Sequence, residues 1–163
     1  MKKLIVILIL FFSINSLYSQ SLNSKNGYGI QVGDPTAITG KFWLDNTDAI
    51  QASLGGGTFA GFRVTVDYVR HFNTFNSNMF FLYGGLGGVV GSGEGYGVWH
   101  GRDDDDWYYR DSGFGLGGRG LVGLQFLPKN TSLEFFLEVG VLIGLAPEFG
   151  ALSESAAGVR FYF

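Results

Sequence analysis

Four consecutive aspartates, Asp103-Asp104-Asp105-Asp106, are the densest set of oxygen donors in the chain, and His100 stands just before them. Hard cations take about six to eight oxygens from a loop whose ligands are spaced and whose turn is made by glycine. Here the acids are contiguous and no glycine interrupts them, so the run reads as a solvated, self-repelling segment and no metal site is assigned. Around it stand Tyr96, Trp99, Arg102, Trp107, Tyr108, Tyr109 and Arg110. Aromatic rings and arginine are what protein-contact hot spots favour, although the same rings would suit an aromatic girdle or an extension of the flanking strands. Trp99, Arg102, Asp103, Asp104, Asp105, Asp106, Trp107, Tyr108 and Tyr109 are therefore the candidate surface-contact loop.

Catalysis has less to draw on. A lipid-cleaving or lipid-modifying site needs a serine or histidine activated by a positioned base, and the chain has only His71 and His100. Neither stands at a recognisable spacing from a serine and an acid. Glu134 and Glu138 stand at positions of the same parity, so a strand would turn both to one face. Paired carboxylates could do acid–base work, but arginine partners for them are the simpler expectation. The glycine pairs Gly84-Gly85, Gly87-Gly88 and Gly117-Gly118 could cradle a phosphate only ahead of a helix, and no helix-forming segment follows them. No catalytic residue, metal or cofactor is assigned.

The elements that must position these groups are strands. Lys2 and Lys3 precede a nine-residue apolar run, 4–12, and then small polar residues at Ser13, Ser16 and Ser19. This is the pattern of a cleaved helical signal peptide, since a helix needs about 20 apolar residues to span a bilayer. We expect 1–19 to be leader and 20–163 to be one domain. No cysteine follows, so neither lipid attachment through cysteine nor a disulfide framework is available. Losing Lys2 and Lys3 moves the formal charge from -3 to -5, and without a basic patch no nucleic-acid partner is expected. Aromatics make up 17% of the chain and 27 residues are glycine, while beyond the leader no run is apolar enough for a membrane helix. Membrane residence would have to be by strands.

Apolar residues recur at every second position across eight segments, 27–33, 36–44, 49–57, 61–72, 78–92, 112–127, 132–145 and 152–163, which is the period of half-buried strands. Gly, Pro, Asn, Asp and Ser dominate most of the links. An even strand count puts both ends of the domain on one side. The long link 93–111 then falls opposite them, as expected of an extracellular loop facing short periplasmic turns.

Successive side chains of a strand point to opposite faces. In the seventh segment Leu133, Phe135, Leu137, Val139, Val141 and Ile143 share one face, and Glu134, Phe136, Glu138, Gly140 and Leu142 the other. Phe62, Val64, Val66 and Tyr68 likewise oppose Arg63, Thr65 and Asp67. Assigned this way, Lys41, Arg63, Arg119 and Arg160 point inward together with Asp67, Glu134 and Glu138. A Lys or Arg on the lipid face at mid-membrane costs about 2–4 kcal/mol, so this segregation is a strong constraint. Eight strands enclose a lumen just wide enough for side chains to fill, so the expected interior is a plugged charge network and not a diffusion pore.

The 20–163 segment resembles the small eight-stranded outer-membrane barrels typified by OmpX and the transmembrane domain of OmpA. Its first hairpin, Gly33-Asp34-Pro35-Thr36 followed by Lys41-Phe42-Trp43, is similar to a group of small barrels with a Gly-Asp-Pro-Thr turn and a Lys-aromatic-Trp strand. Phe161 and Phe163, with alternating aromatics before them, resemble the signal read by the barrel-assembly machinery. The resemblance implies an all-β, antiparallel, up-and-down transmembrane barrel in the outer membrane, in contact with its lipid and with the assembly machinery. The expected role is structural or surface-interactive and non-enzymatic, with an extracellular protein or surface ligand as the partner of the long loop. A lipid-modifying enzyme and a soluble lipocalin-like carrier are the alternatives; the second would need its apolar residues inside.

Overall fold

A computed structural model describes residues 26–75, 77–93, 95–96, 107–109, 113–146 and 149–163. The strands are β1 (Asn26–Gly33), β2 (Thr36–Trp43), β3 (Asp48–Gly56), β4 (Phe62–Phe72), β5 (Phe80–Ser92), β6 (Gly95–Tyr96), β7 (Trp107–Tyr109), β8 (Phe114–Phe126), β9 (Leu133–Ala146) and β10 (Gly150–Tyr162). Eight of them close into an antiparallel barrel in the order β1-β10-β9-β8-β5-β4-β3-β2, and β6 pairs with β7 as a separate two-stranded ribbon. Closure leaves no unpaired sheet edge, the one way a sheet can satisfy its backbone in hydrocarbon.

Each expected strand is present, with ends shifted by up to two residues. β10 begins at Gly150 and not at residue 152, and β5 begins at Phe80 and not at residue 78. Within the long link, Trp107–Tyr109 pairs antiparallel with Gly95–Tyr96. His100, Trp99, Arg102 and Asp103 to Asp106 lie outside the described residues, as does the leader segment 1–19.

We call the barrel end that holds Asn26 and Phe163 the lower end. Its three turns are locally determined. Asp45 Oδ1 accepts the backbone N–H groups of Thr47 (2.7 Å) and Asp48 (2.8 Å). These bonds, that from Thr47 first, hold the Asp45 carboxyl below the usual range. Asn130 takes a positive φ of 61° in the β8–β9 turn, a conformation asparagine tolerates better than most residues. Asn73 Oδ1 accepts from Ser77 N at 3.2 Å in the β4–β5 turn.

At the upper end, Gly33 adopts φ 123° ahead of a cis Asp34–Pro35 bond. Thr36 Oγ1 donates back to the Gly33 carbonyl at 3.0 Å. The Asp34 carboxylate reaches sideways and accepts from Thr58 N in the β3–β4 turn at 3.0 Å. Two neighbouring turns are thereby tied together over the barrel mouth, which explains the chemistry of the Gly-Asp-Pro-Thr segment.

Alternation along the strands decides the two surfaces. The outer wall carries Ile30, Val32, Ile38, Leu54, Val64, Val66, Leu86, Val122, Leu137, Val139, Val141 and Ile143, none covered by the chain. Toward the lower end this aliphatic belt gives way to rings. Tyr28 meets Phe42 edge-on at 5.7 Å, Phe80 stacks on Phe126 at 4.7 Å, and Phe161 meets Phe163 at 4.9 Å. An apolar belt rimmed by aromatics is the exterior of a barrel in a bilayer.

Candidate functional site in the barrel lumen

Large inward side chains are accommodated because small ones face them on the next strand. Tyr83 lies opposite Gly123, Tyr162 opposite Gly27, and Phe136 opposite Gly158. A Cβ at Gly123 would sit 2.3 Å from Tyr83 Cζ, and one at Gly158 2.4 Å from Phe136 Cζ. Asp67 and Arg119 both flank Gly87, where a Cβ would lie 2.0 Å from Asp67 Oδ1. Glycines in these strands therefore act as sockets, and the lumen fills without widening.

Lys41, Arg63, Asp67, Arg119, Glu134, Glu138 and Arg160 are all buried inside the barrel. In the lower half they converge on Glu134. Its Oε1 receives Lys41 Nζ at 3.2 Å and Arg160 Nη1 at 2.6 Å, and its Oε2 receives Gln125 Nε2 at 3.1 Å and the Tyr162 hydroxyl. Arg160 also donates to Thr39 Oγ1 through Nε (3.2 Å) and Nη2 (3.0 Å). Its guanidinium stacks over Phe136 at 3.7 Å. Lys41 lies 4.7 Å from the centre of the Tyr83 ring and 5.0 Å from that of Trp43, so its ammonium is held by carboxylate and π faces together.

One layer up, Glu138 Oε1 accepts from Tyr83 OH and Gln51 Nε2, both at 2.6 Å. Arg119 approaches Glu138 Oε2 at 3.7 Å, Asp67 at 3.5 Å and Glu154 at 3.6 Å. Arg63 Nη1 reaches Glu154 Oε1 at 2.5 Å and Asp34 Oδ1 at 3.6 Å. Glu154 was not among the residues expected inside. It supplies a fourth buried anion against Lys41, Arg63, Arg119 and Arg160, so the enclosed charge balances within the strands. Burying ions costs several kcal/mol each unless every one is paired, which gives the balance its physical meaning.

Two apolar layers close the network. In the lower half Ala49, Val69, Tyr83 and Leu121 pack together with Trp43 against them. His71 is wedged between Trp43 (4.4 Å) and Tyr83 (5.0 Å) with Nδ1 3.0 Å from the Thr47 carbonyl. At the upper end Phe59 and Ala60, from a link expected to be a simple turn, fold into the mouth against Val89, Leu142 and Leu152. Among the described strand residues, the charged side chains on the outer wall are Asp48 and Arg70. They join in a two-bond pair at 2.7 and 2.8 Å near the lower rim, where charge is tolerated best.

Phe161 and Phe163 stand exposed on the outer wall at the lower end. The backbone of Trp107, Tyr108 and Tyr109 forms β7. Among the described residues no group of three or more His, Cys, Asp and Glu could hold a metal ion.

The N-terminal β-barrel domain of Pseudomonas aeruginosa OprF, solved by crystallography, superimposes with a TM-score of 0.60. The match covers 85% of this chain and 95% of that domain at 14% sequence identity. No protein-family model matches the sequence, and no curated protein matches it. The fold is that of the small OmpA- and OmpX-like membrane barrels, closed by eight antiparallel strands.

Proposed function

We propose that this chain is an integral outer-membrane protein with a structural or surface-interaction role, whose barrel is a closed, non-enzymatic body. The observation that carries the reading is the inversion of the usual globular pattern. Between its rims the described outer wall carries no ionised group and is apolar apart from Ser153 and Ser155, and the ionised groups are sealed in the lumen. A bilayer is the solvent that such a surface requires. The short lower turns fit the periplasmic side, and the long link above β5 fits the extracellular side. Phe161 and Phe163, exposed near the lower rim, are available to the barrel-assembly machinery.

Arginine introduced at Val139, in the middle of the outer wall, is expected to cost about 2–4 kcal/mol in vesicles. The direct test is fractionation combined with gel migration of unheated and boiled protein. A heat-shifted band in outer-membrane fractions supports the reading, and protein recovered freely from periplasmic extract overturns it. The link 93–111 is the contact surface in this proposal. Deleting 94–110 is expected to leave assembly intact while abolishing binding to surface partners, and loss of insertion would count against that assignment. A lipid-modifying role has no matching geometry around His71, whose ring is committed to packing, and an unchanged lipid profile on overexpression is expected. A carrier of apolar ligands would need an apolar lumen, which Lys41, Glu134 and Arg160 preclude.

A further inference from the structure

The lumen is unevenly satisfied: in the lower half the buried atoms without a partner, Gln51 Oε1 and His71 Nε2, sit on neutral side chains, whereas in the upper half, Gln31 Oε1 apart, they sit on ions. Six polar atoms in its upper half, Arg63 Nε and Nη2, Asp67 Oδ1 and Oδ2, Arg119 Nε and Glu154 Oε2, have no hydrogen-bond partner in the protein although all four residues are buried. Arg119 Nε stands 3.5 Å from Asp67 and 3.6 Å from Glu154, ion-pair contacts too long for good hydrogen bonds, so each of these atoms stays open to a further hydrogen-bond partner. Donors and acceptors are interleaved. The guanidinium groups repel a cation and the carboxylates repel an anion, so the ligand that suits all six atoms is water.

Directly above this region lies the β3–β4 turn. Phe59 and Ala60 are each 0% exposed and pack on Val89, Leu142 and Leu152. The turn closes on itself through Gly57 N to Ala60 O at 3.0 Å, so it is a compact unit. It is fastened from outside by Asp34, whose Oδ1 holds Thr58 N at 3.0 Å and lies 3.6 Å from Arg63 Nη1. Its seat is shaped for closure. A Cβ on Gly57 would fall 1.9 Å from Asp34 Oδ1, and one on Gly91 2.5 Å from the Ala60 Cβ.

We propose that the β3–β4 turn is a latched lid, with Phe59 sealing and Asp34 holding shut a hydrated polar chamber formed by Arg63, Asp67, Arg119 and Glu154. The chamber opens toward the upper end, while the packed lower half keeps it a dead end.

The chain contains no cysteine, so one introduced thiol reports access without background. Ser53 faces Thr65 across the chamber wall, and Ser53→Cys is a near-isosteric probe for a charged methanethiosulfonate reagent in refolded protein. Labelling is expected to be slow in Ser53→Cys alone. Adding Phe59→Ala should speed it about tenfold or more, equivalent to about 1.4 kcal/mol of lost closure, and Asp34→Ala should give a smaller increase. Ala49→Cys in the lower packing layer should stay slow throughout. Rapid labelling without Phe59→Ala, no change with it, or equal acceleration at Ala49→Cys would each overturn the lid. Heat-shifted migration checks that every variant is folded. Should Phe59→Ala fail that check, Gly91→Ala, which wedges the seat, takes its place with the same expected outcomes.

Discussion

The two halves of the lumen use the same ionic residue types to opposite effect. Around Glu134 both carboxylate oxygens are doubly occupied, by Lys41 and Arg160 on one and by Gln125 and Tyr162 on the other. Around Arg63 a single nitrogen reaches Glu154, and two others have no partner in the protein. Charge balance is common to both halves, so it is not what separates them. The lower half adds neutral groups, Gln51, Gln125, Tyr83 and Tyr162, that hydrogen-bond its carboxylates, and the atoms without a partner there, Gln51 Oε1 and His71 Nε2, belong to neutral side chains. The upper half has Gly87, Gly91 and Gly117 in comparable inward positions. A satisfied network rigidifies and an incomplete one leaves room for solvent, so the lower half reads as the anchor of the barrel and the upper half as the part able to yield.

Removing one anion from each half tests that contrast most severely. Glu134→Ala leaves Lys41 and Arg160 buried without their shared carboxylate, and a cost of about 3–5 kcal/mol is expected. Glu154→Ala leaves Arg63 with Asp34 at 3.6 Å and with solvent in the chamber, so a smaller cost of about 1–3 kcal/mol is expected. Urea unfolding in detergent micelles measures both. Equal losses would erase the distinction between the halves.

Much of this arrangement was legible in the sequence, and the exceptions have physical reasons. Period-two alternation identified Lys41, Arg63, Asp67, Arg119, Glu134, Glu138 and Arg160 as inward because large apolar residues flank most of them. Glu154 has the same parity as Arg160 but lies in Ser153-Glu154-Ser155-Ala156-Ala157. There the outward positions are Ser and Ala, and the contrast between faces disappears. Phe59 was hidden for a different reason. A three-residue link has no period, and its burial depends on Val89, Leu142 and Leu152, which are remote in sequence. Which cation meets which anion depends on strand register and barrel closure, and alternation carries no information on either.

The glycine sockets give an intermediate effect that separates lumen from wall. Gly123→Ala would press a methyl against Tyr83 Cζ, where the ideal position is 2.3 Å away, and Tyr83 is fixed by its bond to Glu138. Overpacking of this kind costs about 1–3 kcal/mol. Gly118 faces outward, and a Cβ there meets nothing nearer than the Gly87 carbonyl at 3.9 Å. Gly118→Ala is therefore expected to be neutral or to stabilise by up to about 1 kcal/mol through lower unfolded-state entropy. Denaturant midpoints of the two variants measured side by side would decide it, and comparable destabilisation by both would mean that lumen sockets are not special.

The finest test uses the hydroxyl pair of the chamber wall. Ser53 Oγ and Thr65 Oγ1 lie 2.5 Å apart and are buried together. In a dry core, Thr65→Val would strand the Ser53 hydroxyl at about 1–3 kcal/mol, and the double variant Ser53→Ala/Thr65→Val would recover most of that loss. With water beside it the stranded hydroxyl finds a new partner, so the single variant should cost less than about 1 kcal/mol and the double should recover little. Tyr83→Phe is the matched change in the packed half. It strips one donor from Glu138, and with no solvent at hand the loss should fall in the full range of about 1–3 kcal/mol. The difference between these two hydroxyl deletions measures hydration of the upper half, and it vanishes if both halves are equally dry.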